Sequence, residues 1–149
     1  MNQSPLPALP CMCGSFRRAS RALTQLYDDA LRPLGLRATQ FSILQALSLT
    51  GELPQGQLGE ILAMDSTTLT RTLEIMHRHG WIAERRGEDR RQRLLRLARA
   101  GETLLNRALP TWEKVQSRLR HQLGAEVWNN LHRLTHQVTT LATIQGGSQ

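Results

Sequence analysis

The sequence predicts a mainly α chain with a small β-hairpin wing, and three observations predict it. Two helical patterns stand a few residues apart, the first on Leu58, Ile61 and Leu62 and the second on Leu69, Leu73 and Met76. Two short strand-like runs follow at once, with seven arginines between Arg85 and Arg99. Longer amphipathic stretches lie on both sides. Two helices across a tight turn, then a basic hairpin, make a winged helix-turn-helix domain, here set between N- and C-terminal dimerisation helices. Within a single 1–149 domain the expected parts are an N-terminal arm over 1–14, dimerisation helices over 15–35 and 101–145, and the winged helix-turn-helix over 36–99.

In chain order, residues 1–10 hold Pro5, Pro7 and Pro10 and read as an extended arm. Gly14 and Ser15 open a first helix whose stripe runs through Phe16, Ala19, Leu23, Leu26, Tyr27, Ala30 and Leu31, and Pro33 with Gly35 marks its end. A second helix, from Thr39 to about Leu49, offers Phe41, Leu44 and Leu47 to the core. The periodic run on Leu58 breaks at Ala63 and Met64, after which Asp65 is placed to cap a new helix by accepting from the free amides near Thr67 and Thr68. Gly80 suits the left-handed residue that ends that helix. Trp81 to Arg86 and Arg93 to Leu97 read as the hairpin strands. A long helix starts near Gly101 and is expected to bend at Pro110, which removes a backbone donor. The last helix, from Glu126 to about Ile144, carries Trp128, Leu131, Leu134, Val138 and Leu141, and Gly146 to Gln149 forms a frayed tail.

With its apolar side inward, the capped helix presents Ser66, Thr67, Thr70 and Arg71, with Thr68 nearer the flank. Short hydroxyls let a helix approach a major groove closely, and arginine reaches a guanine edge or a phosphate. The plainer reading is a capped surface helix with a threonine run, and the wing weighs against it. The polar loop Gly87-Glu88-Asp89-Arg90-Arg91-Gln92, with Arg86 before it, puts cations at a hairpin tip. Arginines placed there, directly after a groove-sized helix, suit a narrow minor groove better than a solvated face.

These residues carry a family resemblance. The string Leu36-Arg-Ala-Thr-Gln-Phe41, the run Ser66-Thr-Thr-Leu-Thr-Arg71, the Gly80-Trp-Ile turn and the Asp89-Arg-Arg91 tip resemble the MarR (multiple-antibiotic-resistance regulator) family of winged-helix repressors, over about residues 15–143. The resemblance implies a homodimer in which Ser66, Thr67, Thr68, Thr70 and Arg71 face the major groove while Asp89 orients Arg91 for the minor groove. Ala98 is a departure, standing where the family has a threonine that starts the next helix.

Composition narrows the classes. At 149 residues with 40% hydrophobic content, the chain can build one compact domain plus an oligomerisation surface. Its formal net charge is +7, and of 19 Lys and Arg residues only Lys114 is not arginine. Arginine's planar fork suits phosphates and bases, although GC-rich codon usage also enriches it, so the clustering at the wing says more than the total. No Gly-rich phosphate loop, nucleophile motif or metal-ligand spacing is present, which argues against an enzyme and for no cofactor. No stretch has the length of a membrane span or the pattern of a signal peptide, so a cytoplasmic protein is expected.

Cys11 and Cys13 precede the first helix and form a candidate sensor. One intervening residue makes an intrachain disulfide strained, while the helix N-terminus and the nearby Arg17 and Arg18 favour thiolate chemistry with oxidants, electrophiles or thiophilic metals. Two inert thiols in an arm is the alternative. His132 and His136 stand one turn apart but complete no metal site, and His77, His79 and His121 stand out no more. The expected function is a sequence-specific DNA-binding transcriptional regulator, a homodimeric repressor released from a pseudo-palindromic operator by a small ligand or by cysteine modification. The alternative is an architectural or non-specific nucleic-acid-binding protein.

Overall fold

The computed structural model describes residue 7 and residues 10–146, with side chains through 143. The expected arm over 1–10 lies largely outside the described residues, as does the tail beyond 146. The chain divides into two compact units, Met1–Trp112 and Glu113–Gln149.

The first unit begins with α1 (Met12–Leu31), so the helix starts three residues before the expected Ser15. A 3-10 turn (Arg32–Leu34) ends at Gly35. Next comes α2 (Ala38–Thr50), whose first amides are satisfied from two directions. The Arg37 amide donates to Gln40 Oε1 at 3.0 Å, and the Ala38 amide donates across to Asp28 Oδ1 at 2.6 Å. Asp28 thus caps the helix after its own, and this bond ties α1 to α2. The short β1 (Leu53–Pro54) leads into α3 (Gln55–Leu62) and, after a three-residue turn, α4 (Ser66–Arg78). In that turn Ala63 sits at φ 50, the left-handed region that costs a non-glycine residue about 1 kcal/mol, and the Met64 amide donates to Gly59 O at 2.9 Å.

Gly80 closes α4 at φ +69, as its place in the sequence predicts, and the Trp81 amide returns to Met76 O. The strands β2 (Ile82–Arg86) and β3 (Arg93–Leu97) pair antiparallel, with Ile82 opposite Leu97 and Arg86 opposite Arg93. Sequence reading missed β1, which adds a third strand on the other side of β3 through Leu53 opposite Leu95. Two residues carry too little alternation to signal a strand. The pairing buries Leu53 and anchors the wing to the helices.

The core of this unit gathers Leu31, Phe41, Ile43, Leu44, Leu47, Leu58, Leu69, Leu73, Met76, Ile82, Leu95 and Ala108, all buried. Phe41 stacks on Trp112 with ring centroids 5.9 Å apart. Each fully buried leucine contributes about 1.5–3 kcal/mol of transfer free energy, so this interior fixes α4 and the sheet against α2. The last helix that contributes to it, α5 (Arg99–Leu123), begins two residues before the expected Gly101 and runs as helix through Pro110. Ala98 does not disturb that start: its amide donates to Trp81 O at 3.0 Å, and its own carbonyl accepts from Glu102.

The second unit holds the later turns of α5 and α6 (Ala125–Gly146), joined at Gly124. Val127, Leu131, Leu134, Val138 and Leu141 of α6 are exposed, although their spacing is that of a packed helix face. Trp128 meets His132 edge-on at 4.8 Å. Among the described residues no helix is long and apolar enough to cross a membrane.

Candidate nucleic-acid interface

The cap of α4 sets the interface. Asp65 is extended, and its Oδ1 accepts the Thr68 amide at 2.9 Å while its Oδ2 accepts the Thr68 hydroxyl at 2.6 Å. These bonds from Thr68, the hydroxyl first and the amide second, hold the Asp65 carboxyl below its ordinary range. They also occupy Thr68: its hydroxyl proton points back at the cap, leaving it only as an acceptor.

With Leu69, Leu73 and Met76 buried, the opposite face of α4 exposes Ser66, Thr67, Thr70 and Arg71. Thr70 departs from the behaviour of its neighbour. The Thr72 hydroxyl donates to the carbonyl one turn back, Thr68 O at 2.9 Å, whereas Thr70 Oγ1 accepts from Gln55 Nε2 of α3 at 3.1 Å. Gln55 was not among the sequence candidates. Its place at the start of α3 gives no sign that it reaches a side chain fifteen residues on.

At the wing, the Gly87 amide closes the hairpin loop on Gln92 O at 2.9 Å, and the Gln92 amide turns back to Asp89 O. Asp89 Oδ1 accepts the Arg91 backbone amide at 3.0 Å, so it shapes the turn that carries Arg91 and makes no bond to the guanidinium. The arginines then separate into two groups. Arg85 is braced by Glu52, with Nε donating to Oε2 at 2.9 Å and a second guanidinium nitrogen bonding Oε1, and Glu52 raises the Arg85 guanidinium above its ordinary value. Arg93 lies 3.4 Å from Glu84, which His77 approaches to 3.2 Å from the end of α4. Arg71, Arg86, Arg90 and Arg91 are exposed and have no acidic partner among the described residues. These four are available to an anion from outside, as are Arg78, Arg96 and Arg99, likewise exposed and without an acidic partner among the described residues.

Between the wing and α3 with the start of α4 lies an open cleft of about 760 Å³, lined by Pro54, Gly59, Glu60, Met64, Ser66, Leu69 and Arg91 among others. The candidate sensor stands elsewhere in this unit. Cys11 is extended just before α1 and accepts the Ser15 amide through its carbonyl at 3.0 Å, while Cys13 lies in the first turn. Both thiols are exposed; Arg17 reaches Cys13 Sγ at 3.7 Å, and Arg18 turns away to Pro7 O. No group of three or more metal-ligating side chains occurs among the described residues.

A capped helix with a polar outer face, beside a hairpin with free arginines at its tip, defines a winged helix-turn-helix protein. The model of the MarR family matches residues 36–92. The chain is 32% identical over 99 residues to the organic hydroperoxide resistance transcriptional regulator of Bacillus subtilis, covering 66% of this chain and 67% of that one. It is 31% identical over 87 residues to the HTH-type transcriptional regulator YwoH of the same organism, a match over 58% of this chain and 64% of YwoH, just under two thirds of that relative's length. Among solved structures it is similar to the M. tuberculosis transcriptional regulator MosR in complex with DNA, at 36% identity and a TM-score of 0.76, over 88% of this chain and 98% of that one. The chain belongs to the MarR family, whose members here are transcription regulators and not enzymes.

Proposed function

We propose that this protein is a sequence-specific DNA-binding transcriptional regulator that acts in the cytoplasm as a homodimeric repressor. The observation that carries the reading is the exposed face of α4, with Ser66, Thr67, Thr70 and Arg71, set beside the unpaired Arg86, Arg90 and Arg91 of the wing. A helix in the major groove and a hairpin in the adjacent minor groove must straddle one sugar-phosphate strand. The open cleft between the wing and α3 with the start of α4 leaves room beside the helix for that strand, and Arg91 lines it as a cation. MosR, solved in complex with DNA, supports the same partner for this chain.

The homodimer rests on the uncovered α6 stripe. Five large apolar side chains at helical spacing are costly to leave in water, and a second copy of the stripe buries them. Twofold symmetry then gives a pseudo-palindromic operator with half-site centres about 10–11 base pairs apart. Release comes from a small ligand or from modification of Cys11 and Cys13, whose exposed thiols are open to attack. One relative is named for organic hydroperoxide resistance, which favours an oxidant as the modifying agent.

Selection of bound fragments from genomic DNA, followed by footprinting, tests this reading. The expected result is a twofold footprint and a preference of at least about a thousandfold over random DNA. A single asymmetric half-site at saturating protein overturns the dimer, and binding without preference moves the protein to the architectural class.

A further inference from the structure

We propose that Gln55 of α3 sets the hydrogen-bonding polarity of Thr70, and through it the base that α4 selects. A threonine hydroxyl is one donor and a pair of acceptor lone pairs, and free in solution it presents either. Here Gln55 Nε2 donates to Thr70 Oγ1 at 3.1 Å, so the oxygen is already accepting on the side facing α3. The Thr70 hydroxyl makes no other bond among the described residues, and it is the outer-face hydroxyl that a neighbouring helix grips. Thr68 spends its proton on Asp65, and Thr72 spends its proton on the Thr68 carbonyl. The Thr70 proton is therefore left to donate outward while its oxygen is engaged, whereas no neighbour among the described residues orients the Thr67 hydroxyl.

The polarity has a consequence for base choice. In the major groove guanine presents two adjacent acceptors, N7 and O6, with no donor between them, while adenine and cytosine each present an amino group. With one lone pair taken by Gln55 and its proton free, the hydroxyl is biased toward donating, so it gains most from guanine and less from an amino group, which can reach only the remaining lone pair. In water the Gln55 bond matters little, because Thr70 is exposed and solvent satisfies either polarity. Once the groove closes over α4 and water leaves, a hydroxyl turned the wrong way is left unsatisfied, and the preset direction becomes a preference. Gln55 touches no base in this scheme and is a positioning residue.

The inference rests on α4 reading DNA, and the experiment separates its failure from that one. Base preferences are measured by selection from a randomised operator library with the wild type, Gln55→Met, Thr70→Val and Thr70→Ser. Methionine keeps the length of glutamine without its donor, and valine keeps the shape of threonine without its hydroxyl. Neither position is buried, and thermal melting confirms the fold of each variant. The wild type should prefer guanine at one position of each half-site, and Gln55→Met and Thr70→Val should each lower that preference by about fivefold at that same position. The double variant should lose no more than Thr70→Val alone, Thr70→Ser should retain the preference, and 7-deazaguanine there should weaken the wild type but not Thr70→Val. A Gln55→Met profile identical to wild type, or a uniform loss across all sequences, overturns the proposal. So does a preference for a base read through its amino group. A wild type that selects no sequence overturns the DNA-reading assignment itself.

Discussion

Gly101, in the first turns of α5, packs its α-carbon against the carbonyl oxygen of Trp81, and a side chain there would collide with that oxygen. The same carbonyl accepts the Ala98 amide at 3.0 Å, so the strand entry and the helix start are locked together at one peptide. The neighbour is backbone, and it cannot step aside as a flexible side chain does. Gly101→Ala should therefore cost about 1–3 kcal/mol through overpacking, more than the helix propensity that alanine gains. Gly56→Ala is the contrast: nothing lies within 4 Å of its added methyl, and stability should rise by up to about 1 kcal/mol. Thermal melts of the two variants should move in opposite directions. A Gly101→Ala protein as stable as wild type would mean that the peptide at Trp81 yields without cost.

The wing arginines are not equivalent, and salt dependence should show it. Arg85 is held by Glu52, whereas Arg91 has no acidic partner among the described residues. Removing one cation that neutralises a phosphate lowers the slope of log affinity against log salt by about one. Arg91→Ala should reduce the slope on operator DNA by that amount. Arg85→Ala should leave the slope unchanged and lower the melting temperature, because it unties β2 from the loop before β1. Equal drops in slope for the two variants would show that Glu52 releases Arg85 to the DNA.

What was legible in the sequence is what is local. Asp65 as a cap, Gly80 as a stop and the two hairpin strands each declare themselves within a few residues, through turn chemistry and periodicity. The parts that were not legible depend on partners far along the chain. Asp28 capping α2, Glu52 bracing Arg85 thirty-three residues on, and the two-residue β1 completing the sheet follow only from the packed fold. The same holds for the interface. The outer face of α4 can be drawn on a helical wheel, but that Thr68 is spent on its cap and Thr70 is gripped by Gln55 are facts of rotamer and neighbour.

Asp65 gives a pH prediction with a definite sign. Its carboxyl is depressed in the folded protein, chiefly by the Thr68 hydroxyl and then by the Thr68 amide. A depressed folded value means the cap's contribution is complete above the unfolded range of about 3.9 and is lost as pH falls through the folded value. Urea unfolding of wild type and Asp65→Asn, from pH 7 down to pH 3, should give a difference that is level above about pH 5 and shrinks below pH 4. A difference that grows on acidification would mean that Asp65 is not the group being titrated.

The thiols give the sharpest test of how the regulator lets go. Cys11 sits just outside α1 and Cys13 just inside it, both exposed, with the Arg17 guanidinium on Cys13 Sγ. A hydroperoxide converts a thiolate to a sulfenic acid and is itself reduced to the alcohol; a second thiol then displaces water to form a disulfide. With one residue between them the two cysteines make a strained ring, so the second thiol comes more readily from a partner subunit or a small thiol. Either product adds bulk or a cross-link at the start of α1, the helix whose Asp28 caps α2 and so holds the helix-turn-helix. Organic hydroperoxide should therefore release wild-type protein from its operator, and a thiol reductant should restore binding. Cys11→Ser, Cys13→Ser together should stay bound throughout, and the single variants should identify which sulfur is attacked first. Equal responses from wild type and the double variant, or none from either, would exclude the cysteines and leave a small-molecule site as the means of release.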